Sequence, residues 1–333
     1  QRWLLLAVIP QILLNGLVQE GAKLLPIVAW WWRKGRNIDP KMGLCIGAIA
    51  GAGLGGLSAA LCLHKAGYQV SVFERATEFS EIGAGLQCGA NALRVFEYLD
   101  LLNDLKAVAV APEGVHFRDY LTGEDIYYMD LGDAYADKYG APYWHVHRAD
   151  LHGLLVKRLQ QVQPNALHMG AGLQGFTEDA DSVTVKLSDG RNFTGDCLIG
   201  ADGIRSKVRD QLLGEQAPRF TGNVAWRAVV PVNAMPADWM ATVTSNFVGP
   251  GKHAVLYYLR QREVAILVWV FENPDWYDDS WTSKAPWHDF NADFAGWHPT
   301  VQAIVDAVDK DQCYRWALFD HAPLENWSSA RVT

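Results

Sequence analysis

The chain has 333 residues, half of them hydrophobic and a fifth charged, with a formal net charge of −8. That length can bury a large core and suggests two domains or one divided one, and the negative balance argues against a general nucleic-acid binder, because phosphate backbones reward basic surfaces. The cysteines (Cys45, Cys62, Cys88, Cys197 and Cys313) form no CxxC pair and no metal-ligand spacing, so they read as reduced residues of a cytoplasmic protein, with no metal site expected.

Residues 1–41 differ in pattern from the rest of the chain. Apolar runs at 3–14 and 24–32 are separated by Gln19-Glu20-Gly21-Ala22-Lys23 and followed by Arg33-Lys34-Gly35-Arg36. Neither reaches the ~20 residues that cross a bilayer as a helix, and the basic residues lie on the wrong side for a signal peptide. The segment is read as an extension, with a membrane-surface role left open, and Met42 as a natural start.

From Gly43 the pattern turns regular. Residues 44–50 form an apolar run suited to a strand buried on both faces. Gly51-Ala52-Gly53-Leu54-Gly55-Gly56 comes next, then a helix over 57–66 closed by Gly67, and a strand over 69–73 that ends at Glu74. This is a βαβ unit. Helices are predicted over 91–102 and 148–161, and a hairpin joins strands 114–120 and 124–129. A second hairpin turns at Ser188-Asp189-Gly190 between strands 182–187 and 191–194. Strand 196–199 runs into Gly200-Ala201-Asp202-Gly203. Further strands are predicted over 224–232, 253–259 and 264–271. Helix 289–308 comes after them, with Phe294, Trp297, Val301, Ile304, Val305 and Val308 at helical spacing and Pro299 in its first turn or breaking it.

Gly51-x-Gly53-x-x-Gly56 after a strand and before a helix carries a physical mechanism. The glycines allow a tight turn, close approach of backbone to a pyrophosphate and close helix–strand packing. The helix start adds free N–H groups and a positive dipole. Glu74 lies 23 residues beyond Gly51, where a carboxylate can accept from a ribose hydroxyl. A dinucleotide is therefore expected, although the turn alone does not separate FAD from NAD. The segment 196–209, a strand leaving into Gly200-Ala201-Asp202-Gly203 and a helix start with Ser206 and Arg209, does most of the work of separating them, towards FAD.

Taken together, these segments resemble the class A flavoprotein monooxygenases, the family of salicylate and other hydroxybenzoate hydroxylases. The resemblance runs from about residue 43 to the end. It rests on the glycine turn with Glu74-Arg75, on Glu81-Ile82-Gly83-Ala84-Gly85-Leu86-Gln87 with Asn91-Ala92, and on Arg148-Ala149-Asp150-Leu151. It continues through 200–209, Gly249-Pro250-Gly251-Lys252-His253 and Trp316-Ala317-Leu318-Phe319-Asp320. The last two segments fit the salicylate-hydroxylase-like branch best. The resemblance implies an α/β fold, in which a Rossmann-like FAD-binding domain with a parallel sheet is interrupted by a mixed or antiparallel sheet over the substrate. The implied boundaries are 42–112, 145–216 and 321–333 for the FAD domain and 113–144 and 217–320 for the substrate domain. The resemblance also implies one FAD per chain, with NADH or NADPH as a transient co-substrate.

By that resemblance, Gly51, Gly53, Leu54, Gly55 and Gly56 cradle the pyrophosphate, Glu74 holds the ribose and Arg75 lies beside the adenine. Arg148 reaches the phosphate–ribityl region, and Asp202 meets the ribityl or pyrophosphate side with Arg209 tying its loop down. The turn containing Gly85 passes the isoalloxazine ring, and Gln87 faces the substrate. The implied reaction hydroxylates a small aromatic acid such as salicylate with O2, through a C4a-hydroperoxyflavin. No catalytic base is identified. Asn223 and Trp226 stand where relatives often carry His or Tyr, while His253 and Tyr257 are candidates on the next strand and Arg227 a partner for a substrate carboxylate. Each of these also reads as an ordinary packed or surface residue. The family would continue past Thr333 with a strand leading to a Gly-Asp pair on the ribityl chain, so the chain is expected to be a fragment that holds FAD weakly or not at all. An NAD-dependent dehydrogenase and a non-catalytic dinucleotide-binding protein are the alternatives. Oligomeric state is left open.

Overall fold

A computed structural model describes residues 46–79, 84–276, 278 and 283–333. The expectations for the N-terminal extension, for Cys45 and for Glu81-Ile82-Gly83 lie outside the described residues. In chain order, β1 (Ile46–Ala50), α1 (Leu54–Lys65) and β2 (Gln69–Phe73) form the expected βαβ unit. Next come β3 (Gly85–Cys88), α2 (Ala90–Tyr98), α3 (Leu102–Val108), β4 (Gly114–Asp119), β5 (Asp125–Asp130) and α4 (Asp133–Tyr139). β6 (Trp144–His147) passes directly into α5 (Arg148–Val162), followed by β7 (Leu167–His168), β8 (Leu173–Glu178), β9 (Val183–Leu187), β10 (Asn192–Gly195) and β11 (Cys197–Gly200). The remainder is α6 (Lys207–Leu213), β12 (Arg219–Pro231), β13 (Thr244–Gly249), β14 (Lys252–Leu259), β15 (Val264–Glu272), α7 (Trp287–Asp293), α8 (Pro299–Ala307) and β16 (Tyr314–Asp320).

The chain divides into two compact units, each built from separated segments. The first holds the described residues up to 79 with 151–218 and 321–333. Its four-stranded sheet runs β11-β1-β2-β7, all pairs parallel, as a crossover helix after β1 requires. Val332 bridges Leu198 in parallel on the far side of β11. A three-stranded antiparallel sheet, β10-β9-β8, completes the unit.

The second unit holds the described residues of 82–150 with 219–320. Its seven-stranded sheet is ordered β16-β12-β15-β14-β13-β4-β5, antiparallel apart from the β13–β4 pair. β3 and β6 pair separately. One face of the large sheet presents Trp226, Ala228, Leu256, Tyr258 and Trp269 to α7 and α8, which contribute Phe290, Val301, Ile304 and Val305 to one core. Each fully buried aromatic there removes ~150–250 Å² from water.

Three expectations change. The helix over 289–308 is two helices, because Pro299 supplies the first residue of α8 and His298 caps it through Nδ1, accepting from the Thr300 N–H at 3.2 Å. The helix over 91–102 is α2 and ends at Tyr98, and the separate helix α3 begins only at Leu102. The strand over 224–232 begins earlier, at Arg219, through an irregularity between Phe220 and Val224. No helix among the described residues is long and apolar enough to cross a membrane.

Candidate functional site

In the first unit the glycine turn is closed from both sides. Gly51 adopts φ +99°, and a Cβ there would stand 2.5 Å from the Ala201 carbonyl, so the loop after β11 packs directly on the turn. A Cβ on Gly56 would overlap the Gly51 carbonyl oxygen. Gly53 and Gly55 differ, with nothing within 4 Å of the added carbon. No side chain caps the start of α1, which leaves first-turn N–H groups for an anion. Two positions thus need glycine for the fold, and two leave the approach to the amides clear. This cradle fits a pyrophosphate.

Glu74 is half-buried, and its carboxylate ties the turn to the end of β2. Oε2 accepts from the Ala52 N–H at 2.9 Å and Oε1 from the Ala76 N–H at 3.0 Å. Each oxygen keeps a lone pair, so a ribose hydroxyl can still donate. Arg75 is exposed, and its Cβ packs close to Gly172. His152, buried on α5, bonds the Ala52 carbonyl through Nε2 at 2.9 Å, so that nitrogen carries the proton. The sequence offered no signal for this residue, because its partner lies 100 positions away.

Asp202 is turned toward α6. Its Oδ1 accepts from Ser206 Oγ at 2.5 Å and its Oδ2 from the Lys207 N–H at 2.7 Å, a carboxylate favourably placed at a helix start. Arg209 donates its backbone N–H to Ser206 Oγ at 3.0 Å, and its guanidinium pairs with Asp210 at 3.0 Å. Ser206 is thus the shared neighbour that links Asp202 to Arg209.

The second unit gathers the other candidates. β3 and β6 set Gln87 opposite His145 and Gly85 opposite His147. Tyr143 donates its hydroxyl to Gln87 Oε1 at 2.7 Å. The Tyr257 ring occupies the space that a Gly85 side chain would need. The His145 ring lies 4.6 Å from that of Tyr257, and its Nε2 is 2.7 Å from Thr244 Oγ1. Burial lowers the His145 pKa to about 3 and that of His253 to about 4, and raises that of Tyr257. Both imidazoles are therefore neutral near pH 7, and the phenol keeps its proton.

Strand register sorts the remaining residues by face. Trp226 points into the helix-covered core, where its ring meets Phe290 and its Nε1 donates to Asp293 at 2.8 Å. Trp226 is thereby removed from the face of its neighbour Arg227. Asn223 bonds its local turn, through Nδ2 to the Thr221 carbonyl at 3.3 Å. Arg227 lies in register with Val268, which is in register with Val255, which is in register with Asn246. His253 and Tyr257 flank Val255 on that same face, opposite to the helices. Arg227 is 5% exposed, its guanidinium lies 5.5 Å from the Tyr314 ring and 5.3 Å from the Trp316 ring, and its Nη2 has no partner among the described residues. Desolvation lowers its pKa, with Arg148 as a like-charged neighbour acting the same way. Arg148 starts α5 and donates its backbone N–H to the Ala84 carbonyl at 2.8 Å. No metal-ligand cluster occurs among the described residues.

Comparison with known proteins gives one family model, "FAD binding domain", matched over residues 46–292. A 3-amino-4-hydroxybenzoate 2-monooxygenase of Streptomyces platensis is 32% identical, over 86% of this chain and 71% of its own length. A 6-hydroxynicotinate 3-monooxygenase of Bordetella bronchiseptica is 33% identical, over 86% and 73%. The crystal structure of Klebsiella pneumoniae HpxO complexed with FAD and uric acid superposes with a TM-score of 0.73 at 27% identity, covering 86% of this chain and 71% of that one.

Proposed function

The chain belongs to the FAD binding domain family as an FAD-dependent aromatic monooxygenase using NADH or NADPH, and from that premise we propose that its substrate is a small hydroxylated aromatic acid. The observation that carries this reading is Arg227. A buried guanidinium with an unpartnered nitrogen, aromatic walls and a like-charged neighbour lacks the counter-charge that would offset its desolvation. A carboxylate supplies that charge and accepts in the planar geometry a guanidinium offers. The substrates in the two relatives' names, an aminohydroxybenzoate and a hydroxynicotinate, are such acids.

When bound, FAD would supply the redox chemistry by which O2 yields the oxygen atom that enters the ring. The chain's own residues bind, orient and move protons. The first-turn amides from Gly53 to Gly56, with Glu74, hold the diphosphate and ribose. Arg75, Gly85, Arg148, Asp202 and Arg209 are assigned to the cofactor by family resemblance. Neutral His253 accepts a hydrogen bond from the ring hydroxyl, which makes the ring more electron-rich, and protonated Tyr257 donates a hydrogen bond. Gln87, held by Tyr143, completes the polar lining. Salicylate is one member of this substrate class. Cys62, Cys197 and Cys313 are free thiols, which supports a reducing, cytoplasmic setting.

The reading is tested with FAD in excess, by scoring aromatic acids and the matching neutral phenols for stimulated NADH or NADPH oxidation. The acids should stimulate, and Arg227→Gln should raise their KM by at least about tenfold, the loss expected for one charge-assisted contact. Stimulation by the neutral phenols alone would remove the carboxylate reading.

A further inference from the structure

The face of the large sheet opposite α7 and α8 fixes a distance as well as a charge. Arg227 stands on β12, and His253 and Tyr257 stand on β14, with β15 between them. Two strand spacings put ~10 Å between these backbones, and His253 and Tyr257 are displaced from the Arg227 row by two positions to opposite sides, ~7 Å each along the strand. Side chains stand roughly perpendicular to a sheet, so the separation at the backbone persists toward the tips. Val268 and Val255 lie between as an apolar floor, in register with Arg227, and Trp316 walls the cationic end.

We infer that this chain takes aromatic acids whose hydroxyl lies para or meta to the carboxylate, and discriminates against the ortho isomer; this rests on the reading that Arg227 holds the carboxylate. An ortho hydroxyl lies on the same end of the ring as the carboxylate and donates to it internally. Seated on Arg227, such a ring leaves His253 facing a C–H edge, and an imidazole that burial keeps neutral loses a partner. A para hydroxyl sits a full ring width beyond the carboxylate and spans the valine floor to β14. The discriminating residues are therefore Arg227 for the acid and His253 for the hydroxyl. Neither of them identifies the isomer alone, because the selection lies in the two-strand gap.

The test is direct binding to the FAD-loaded chain, read by calorimetry, of benzoate, salicylate, 3-hydroxybenzoate, 4-hydroxybenzoate and 6-hydroxynicotinate. The 4-hydroxy acid and 6-hydroxynicotinate should bind at least about tenfold tighter than salicylate, and salicylate should bind no tighter than benzoate. In His253→Phe the advantage of 4-hydroxybenzoate over benzoate should shrink several-fold while benzoate affinity holds. Salicylate binding as tightly as 4-hydroxybenzoate overturns the inference and leaves the acid reading standing. Binding of none of the acids overturns both. Should His253→Phe fail to fold, the ligand series on the unsubstituted chain still decides.

Discussion

His145 and His253 keep their neutral forms because the fold denies their imidazolium ions water, holding the two pKa values to about 3 and about 4 against an unfolded value of 6.5. A histidine whose pKa is depressed on folding binds its proton more readily when unfolded. Its contribution to stability is therefore present above pH 6.5 and lost as pH falls through the folded values. Urea midpoints should fall steadily between pH 6.5 and pH 4, with a slope reflecting proton uptake on unfolding. A midpoint unchanged over that window would contradict the burial of these rings. Arg227 gives the opposite lesson. Its desolvation is a cost in the ligand-free chain, only partly offset by the Tyr314 and Trp316 rings, for which cation–π contacts contribute ~0.5–2 kcal/mol each. Replacing it by Met, similar in length and apolar, should leave Tm unchanged or raise it while weakening aromatic acids at least about tenfold. A fall in Tm of several degrees with affinity intact would make Arg227 a structural residue.

The glycine turn shows how one short element divides folding from binding. Gly56→Ala puts a carbon onto the Gly51 carbonyl and should unfold the turn, at a cost of at least ~1–3 kcal/mol. Gly53→Ala meets nothing within 4 Å and lies at φ −72°, so Tm should hold while FAD affinity drops. Equal loss of Tm in both variants, read by thermal denaturation beside FAD titration, would refute the division. The turn was legible in the sequence because its signals are local: an apolar run, three spaced glycines, an Ala/Leu helix and an acidic strand end. β6 was not legible, since Trp144–His147 runs into α5 without a turn residue and its partner β3 lies far away in sequence. β13 escaped for a related reason, as its pairing with β4 joins segments more than 100 residues apart. Pro299 was read as a break or a first-turn residue and acts as both.

At the scale of the whole molecule, each compact unit is assembled from segments separated in the chain, and the candidate residues are divided between the two units. Gly51, Glu74, Asp202 and Arg209 belong to the first, and Gly85, Gln87, Arg148, Arg227, His253 and Tyr257 to the second. Family motifs identified the residue types in both. They did not tell which side of a strand each residue occupies, because a one-residue slip exchanges the faces. Register decides this: Trp226 goes to the helix core and Arg227 to the opposite face, in the same row as Asn246, which the sequence did not single out. Asp202 and Glu74 spend part of their hydrogen-bonding capacity on α6 and on the glycine turn. The claim that joins both scales is transfer of one oxygen atom from O2 to a carboxylated ring. It is tested most directly by turning over 4-hydroxybenzoate or 6-hydroxynicotinate under ¹⁸O2, with FAD and NADH or NADPH supplied, and weighing the product. One labelled oxygen in each hydroxylated product molecule is the predicted result. Hydroxylated product carrying oxygen from water, or nicotinamide oxidation by both acids with no hydroxylated product, would contradict it.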